Sequence, residues 1–125
     1  MQMNEPSVVA EVTAAFERYE QALMDNDVEM LNTLFWRNDL TLRYGLGENS
    51  YGHDAIAAVR ARRAAGRRTL ANTFITAYGD DFATANTEFT RVESERSGRQ
   101  SQTWVRMPEG WRIVAAHVSW FDANN

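Results

Sequence analysis

Gly98–Phe121, GRQSQTWVRMPEGWRIVAAHVSWF, decides the reading of this chain. Pro108-Glu109-Gly110 is a turn signal, and the runs on either side are rich in aromatic and β-branched residues, so the stretch predicts two antiparallel strands joined by a short loop. Alternation along the second strand puts Trp111, Ile113, Ala115, His117 and Ser119 on one face and Arg112, Val114, Ala116, Val118 and Trp120 on the other. Both faces are mostly apolar, which implies a strand covered on both sides. On that reading His117 and Ser119 project into an enclosed space, where a polar pair must find partners or line a cavity.

Upstream, apolar residues at Val8, Val9, Val12, Ala15, Phe16, Tyr19, Ala22 and Leu23 follow helical spacing and predict a helix from Glu5 to Asp25, with Pro6 tolerable in its first turn. Asp27 is a good cap for a second, short helix to Phe35. Asp39 to Tyr44 alternates as a strand, with Leu40, Leu42 and Tyr44 on one face and Thr41 and Arg43 on the other. A glycine-punctuated loop, Gly45 to Gly52, leads to a helix from His53 to Ala65, ended by Gly66. Three long alternating runs follow: Thr69 to Tyr78, Phe82 to Glu93 and Gln100 to Met107. With the closing strand, the order is helix, helix, strand, helix and four antiparallel strands, an α+β pattern. A curved sheet wrapped over the first helix leaves a pocket between them.

The composition narrows the function classes. At 125 residues the chain reads as one domain, 1–125. It has no cysteine, so disulfides, zinc thiolate sites and a cysteine nucleophile are excluded. Neither a leader-like N-terminus nor a run of membrane-spanning length is present, which makes a cytoplasmic location and no membrane partner the expectation. Every basic residue is arginine, and the charge is uneven: residues 1–59 hold 3 arginines against 10 carboxylates, residues 60–125 hold 10 against 7. A net charge of −4 with no lysine argues against nucleic acid, yet leaves bidentate carboxylate recognition well supplied.

A final strand GWRIVAAHVSW after TWVR resembles the nuclear-transport-factor-2-like (SnoaL-like) cone fold, and TLRYGLGENSYGHDAI, taken with the hairpin, resembles its AtzH-like branch. The stretch from Arg43-Tyr44-Gly45 to Gly52-His53 is the discriminating part, and the likeness runs from about Glu5 to Phe121. The resemblance implies N-terminal helices packed on a strongly curved, mostly antiparallel sheet with a central pocket. It also implies breakdown of carboxylated ureas or oxalurate, a pocket tyrosine on the first helix at Tyr19, and a catalytic or substrate-binding arginine at Arg43.

The residues themselves leave both roles open. Tyr19 lies on the apolar stripe of its helix, where a tyrosine is either core or a pocket phenol. Arg43 sits in mid-strand, usually an edge or solvent position, but a strand lining a cavity holds an arginine for an anion, bound through two parallel hydrogen bonds. His117 is read as a polar wall residue that orients substrate, with Ser119 as a hydrogen-bonding neighbour, since no nucleophile elbow surrounds that serine. The run Arg60, Arg62, Arg63, Arg67, Arg68 reads as a solvated face. Arg63 is its exception, four residues after Val59 and seven after Ile56 on the buried side, and is a substrate-binding candidate. Asn72, Gln102 and Trp104 are further wall candidates by alternation. His53 reads as a capping or surface residue. Two histidines 64 residues apart, with no bracketing carboxylates, support no metal site and no cofactor.

The leading expectation is a metal-independent hydrolase of a carboxylated urea or ureido acid, of the 1,3-dicarboxyurea type. A non-catalytic accessory subunit docking on an amidase of the same pathway is the alternative. Isomerase or dehydratase chemistry ranks last, for want of a pocket Asp–His pair. The partners expected are a small anionic substrate and a second copy of the chain. Thr69 to Tyr78 is apolar on both parities, so one covering layer leaves apolar area for a homodimer.

Overall fold

The computed structural model describes residues 1–63 and 66–121. Three helices, α1 (Pro6–Asp25), α2 (Val28–Leu34) and α3 (His53–Arg62), pack on a six-stranded sheet. Its strands are β1 (Leu42–Tyr44), β2 (Asn49–Tyr51), β3 (Arg68–Tyr78), β4 (Phe82–Arg91), β5 (Ser97–Met107) and β6 (Gly110–Trp120), in the spatial order β2-β1-β6-β5-β4-β3. All neighbours are antiparallel except β1 and β6, which run parallel. The fold is the expected α+β arrangement of helices on a mostly antiparallel sheet.

Local chemistry sets the helix ends. Pro6 fills the first turn of α1, where its missing N–H costs nothing. Asn26 ends the helix in the left-handed region at φ 53°, its N–H donating to the carbonyls of Ala22 and Leu23. Asp27 caps α2 through a bond from the Met30 N–H at 3.1 Å. The chain start is pinned to β3, where Asn4 N–H donates to the Ala77 carbonyl and the Asn4 side chain accepts from Ala77 N–H, each at 2.9 Å. With its entry fixed, α1 buries Val8, Val12, Ala15, Phe16, Tyr19 and Ala22 against the sheet residues Ala77, Ala83, Ala85, Trp104 and Ile113. Small alanines on β3 and β4 let the helix lie close to the strands.

Four expectations need correction. The loop from Gly45 to Gly52 contains β2, a strand too short for alternation to reveal. Helix α3 ends at Arg62, with Arg63 already extended, so Gly66 is not its C′ residue; Ala64 and Ala65 lie outside the described residues. His53 is buried rather than on the surface, its Nε2 donating to the Asn32 carbonyl at 2.7 Å.

The fourth correction concerns β6. Thr103 pairs with Ala115 and Trp104 with Ile113, so Val114 is an extra residue, a β-bulge. Inward positions therefore run Trp111, Ile113, then Ala116 and Val118. His117 and Ser119 fall on the outer face and are exposed. A bulge also intervenes in β3 between Ala71 and Phe74, where Asn72 adopts φ 52° and donates from its amide to Glu88 at 2.7 Å.

Candidate functional site

Six strands and helices, four of them carrying arginines, bring polar side chains to one cavity between α1 and the helix-covered face of the sheet. Tyr19 comes from α1, Arg43 from β1, Arg60 from α3 and Arg63 from the residue after it, Arg68 from β3, Arg91 from β4 and Gln100 from β5. With these side chains in place about 30 Å³ stays free, room for little more than ordered water.

At its centre is a phenol next to a buried guanidinium. Tyr19 is 2% exposed, its ring edge-on to Phe35 with centroids 6.2 Å apart. Its hydroxyl accepts from Arg60 Nη2 at 3.2 Å. Arg60 is 3% exposed, lies 5.9 Å from the Tyr19 and Phe35 ring centroids, and has no carboxylate partner among the described residues. Burial alone raises the Tyr19 phenol and is the largest single influence on it. Arg60, Arg43 and Arg68 together outweigh that influence and Glu20's smaller upward push, so the phenol titrates below its ordinary value.

The other arginines differ in how they are compensated. Arg68 forks onto both oxygens of Glu20, from Nε at 3.2 Å and from Nη2 at 2.5 Å, and gives Nη2 also to Gln100 Oε1 at 3.0 Å. Arg43 and Arg63 share one oxygen, Glu48 Oε1, at 3.0 Å each. Burial is the main cause holding both of these guanidiniums below their ordinary values; Tyr19 and Glu48 oppose it at Arg43. Arg60 Nη1, Arg91 Nε and Gln100 Nε2 are buried donors with no acceptor among the described residues. An orphaned buried donor costs about 1–3 kcal/mol, so these N–H groups are free to donate to hydrogen-bond acceptors that enter the cavity.

The structure brings together Tyr19, Arg43 and Arg63 of the sequence candidates. Five others lie elsewhere. His117 and Ser119 are on the outer face because of the Val114 bulge, His117 edge-on to Tyr44 with centroids 5.6 Å apart. Asn72 is exposed at the β3 irregularity. Trp104 faces inward but is wholly buried in the core, its indole N–H donating to Gln102 Oε1 at 3.1 Å, so neither it nor Gln102 reaches the cavity. Sequence reasoning missed Arg60, Arg68, Arg91, Gln100, Glu20 and Glu48. For Arg60 a signal existed: it lies four residues after Ile56 and three before Arg63, on the same helical side. Among the described residues no group of three or more His, Asp or Glu is placed to hold a metal ion, and no helix is long and apolar enough to cross a membrane.

Comparison with known proteins agrees with this architecture. A solved structure of unknown function from the DUF3225 family of Pectobacterium atrosepticum is 57% identical, covering 96% of this chain and 95% of its own, with a TM-score of 0.93. A cystatin-like fold protein from Burkholderia xenovorans is 49% identical over 97% of both chains, also at 0.93. A nuclear transport factor 2-like protein from Salmonella enterica, 24% identical over 95% of this chain and 94% of its own, shares the fold at 0.79. No curated protein matches. The model of one family, AtzH-like, matches residues 1–124, the span that carries the α1 tyrosine, the β1 arginine and every other wall of the cavity, and it is to the AtzH-like family that this chain belongs.

Proposed function

We propose that the protein hydrolyses a C–N bond of a carboxylated urea or ureido acid, with loss of carbon dioxide. The observation that carries this reading is a buried phenol with a lowered titration point in a cavity whose arginine and glutamine donors lack acceptors. The substrate class is the one that the AtzH-like resemblance implies, and membership of that family supports it. In the proposed reaction Arg43 and Arg63 hold a substrate carboxylate, and Gln100 Nε2 and Arg91 Nε donate hydrogen bonds to the remaining ureido oxygens. The Tyr19 phenolate takes a proton from water as the water oxygen adds to the ureido carbonyl carbon. Collapse of the tetrahedral intermediate breaks the C–N bond, the proton passes to the leaving nitrogen, and the carbamate fragment so formed releases carbon dioxide. Arg60, against the phenol, stabilises both the phenolate and the oxyanion.

The purified protein alone, treated with chelator, is expected to turn over a 1,3-dicarboxyurea-type substrate with release of carbon dioxide. No release by the isolated chain, combined with binding to an amidase, would replace this reading with that of an accessory subunit.

We also infer a homodimer through the sheet face that the helices leave open. Tyr44, Tyr51 and His117 form an edge-on aromatic cluster there, and Phe74 is 65% exposed. Sedimentation at micromolar concentration should give a dimer; monomer alone would count against the contact.

A further inference from the structure

We propose that Glu48 is a tethered carboxylate seated where the ligand's own carboxylate binds, so that binding is an exchange of one carboxylate for another and Glu48 decides which acids are admitted. The proposal rests on reading the cavity as a carboxylate site, and not on any turnover there. Glu48 Oε1 accepts from Arg43 Nη1 and Arg63 Nη2, both at 3.0 Å, and so stands in for a ligand carboxylate oxygen between two guanidiniums.

Three features make the seat exchangeable. Glu48 follows a tight loop, closed by Gly45 N–H donating to its carbonyl at 2.8 Å, and its own side chain remains 29% exposed, with a route to solvent. The loop is shaped around the carboxylate: a Cβ on Gly45 would stand 2.1 Å from Glu48 Oε1 and 2.6 Å from Arg43 Nη1, so a side chain there would drive the carboxylate off the arginines. The backbone of Glu48 is held independently, because Tyr44 pairs with Asn49 at the start of β2, so the side chain can swing out with the sheet intact.

Space and charge then require a replacement rather than a vacancy. The cavity lined by Arg43 and Arg63 has about 30 Å³ free, too little for a ureido acid unless its carboxylate takes the place of Glu48 between the two guanidiniums. With Glu48 withdrawn, the Arg43 guanidinium, its side chain 8% exposed, is left beside Arg60 and Arg63 without a carboxylate partner. An uncompensated buried charge is costly, so the open state is favoured only when another carboxylate arrives. A weak or singly hydrogen-bonding acid does not displace the resident one; an acid that also reaches the unpaired donors of Arg60, Arg91 and Gln100 does.

The test is malonate binding by the full chain, measured by calorimetry and by thermal shift in carboxylate-free buffer, for wild type, Glu48→Gln and Glu48→Ala. Both variants should bind malonate at least about tenfold more tightly than wild type, because no resident carboxylate competes. Both should melt lower than wild type without malonate and recover the difference at saturation. Binding unchanged or weakened in the folded variants would overturn the exchange, as would absence of malonate binding in all three. If malonate binds as expected while no ureido acid is hydrolysed, the exchange stands and the proposed reaction fails.

Discussion

Tyr19→Phe is expected to bind the carboxylate ligand as wild type does and to lose turnover by about 10²–10⁴, the usual contribution of one positioned acid–base group. The substitution removes one oxygen from a fully packed ring, so the Phe35 contact and the helix stripe stay filled. What goes is the hydroxyl that accepts from Arg60. The pH profile adds a readout that a core role would not move. Because the phenolate is the reactive form, the rate should rise with pH and level off below the ordinary tyrosine range near ~10. Arg60→Met removes the largest lowering influence on the phenol and should shift that limb to higher pH. A phenolate absorbance titration checks the same displacement directly, as the difference between wild type and Tyr19→Phe. Tyr51 does not interfere, since its hydrogen bond to Tyr44 raises it in the opposite direction. A Tyr19→Phe variant that hydrolyses a verified substrate at the wild-type rate would reduce Tyr19 to core packing.

The contrast between Tyr19 and His117 shows what the sequence carried. Helical spacing placed Tyr19 toward the sheet, and alternation in β1 separated Arg43 and Thr41, both buried, from half-exposed Leu42 and Tyr44. Those inferences use only local periodicity, and nothing interrupts it in either element. In β6 a single extra residue reverses the count. Val114 carries no glycine or proline to mark the bulge, and apolar residues on both faces hide the change of phase. Simple alternation therefore puts His117 and Ser119 on the wrong side, because the extra residue leaves no mark in the sequence.

The arginines were missed for a different reason. Arg60 and Arg68 belong to a run that looks solvated when only neighbours in sequence are weighed. Arg60 meets Tyr19 across 41 residues of chain, and Arg68 meets Glu20 across 48. Burial of a charged group is settled by such distant partners, which no local window contains. Glu48 gives even less warning, because a lone acid between glycines has the composition of any surface loop. Its meaning comes from two guanidiniums that the fold delivers from β1 and from the end of α3.

Glu20→Ala should destabilise the protein by about 3 kcal/mol, at the lower end of the 3–5 kcal/mol typical of breaking a buried ion pair. The Arg68 side chain is 4% exposed and that of Glu20 14%, so solvent does little to screen the guanidinium left behind. Gln100 Oε1 still accepts one of its N–H groups, which is why the lower figure applies. Glu48→Gln should also destabilise, because it strips the 8%-exposed Arg43 of its carboxylate, whereas water replaces much of the pairing lost at Arg63, which is 25% exposed. Removing Glu20 also relieves its upward push on the Tyr19 phenol. Urea unfolding should show a lower midpoint with an unchanged slope. Adding Arg68→Met to Glu20→Ala should restore a large part of the stability, because the thioether packs where the guanidinium now lies 4.7 Å from the Phe89 centroid and no charge remains to be paired. If the double variant is no more stable than Glu20→Ala, the loss comes from packing of the glutamate stem rather than from an orphaned guanidinium. The cavity would then owe its stability to shape, and its arginines would not depend on Glu20 for their tolerance in the interior.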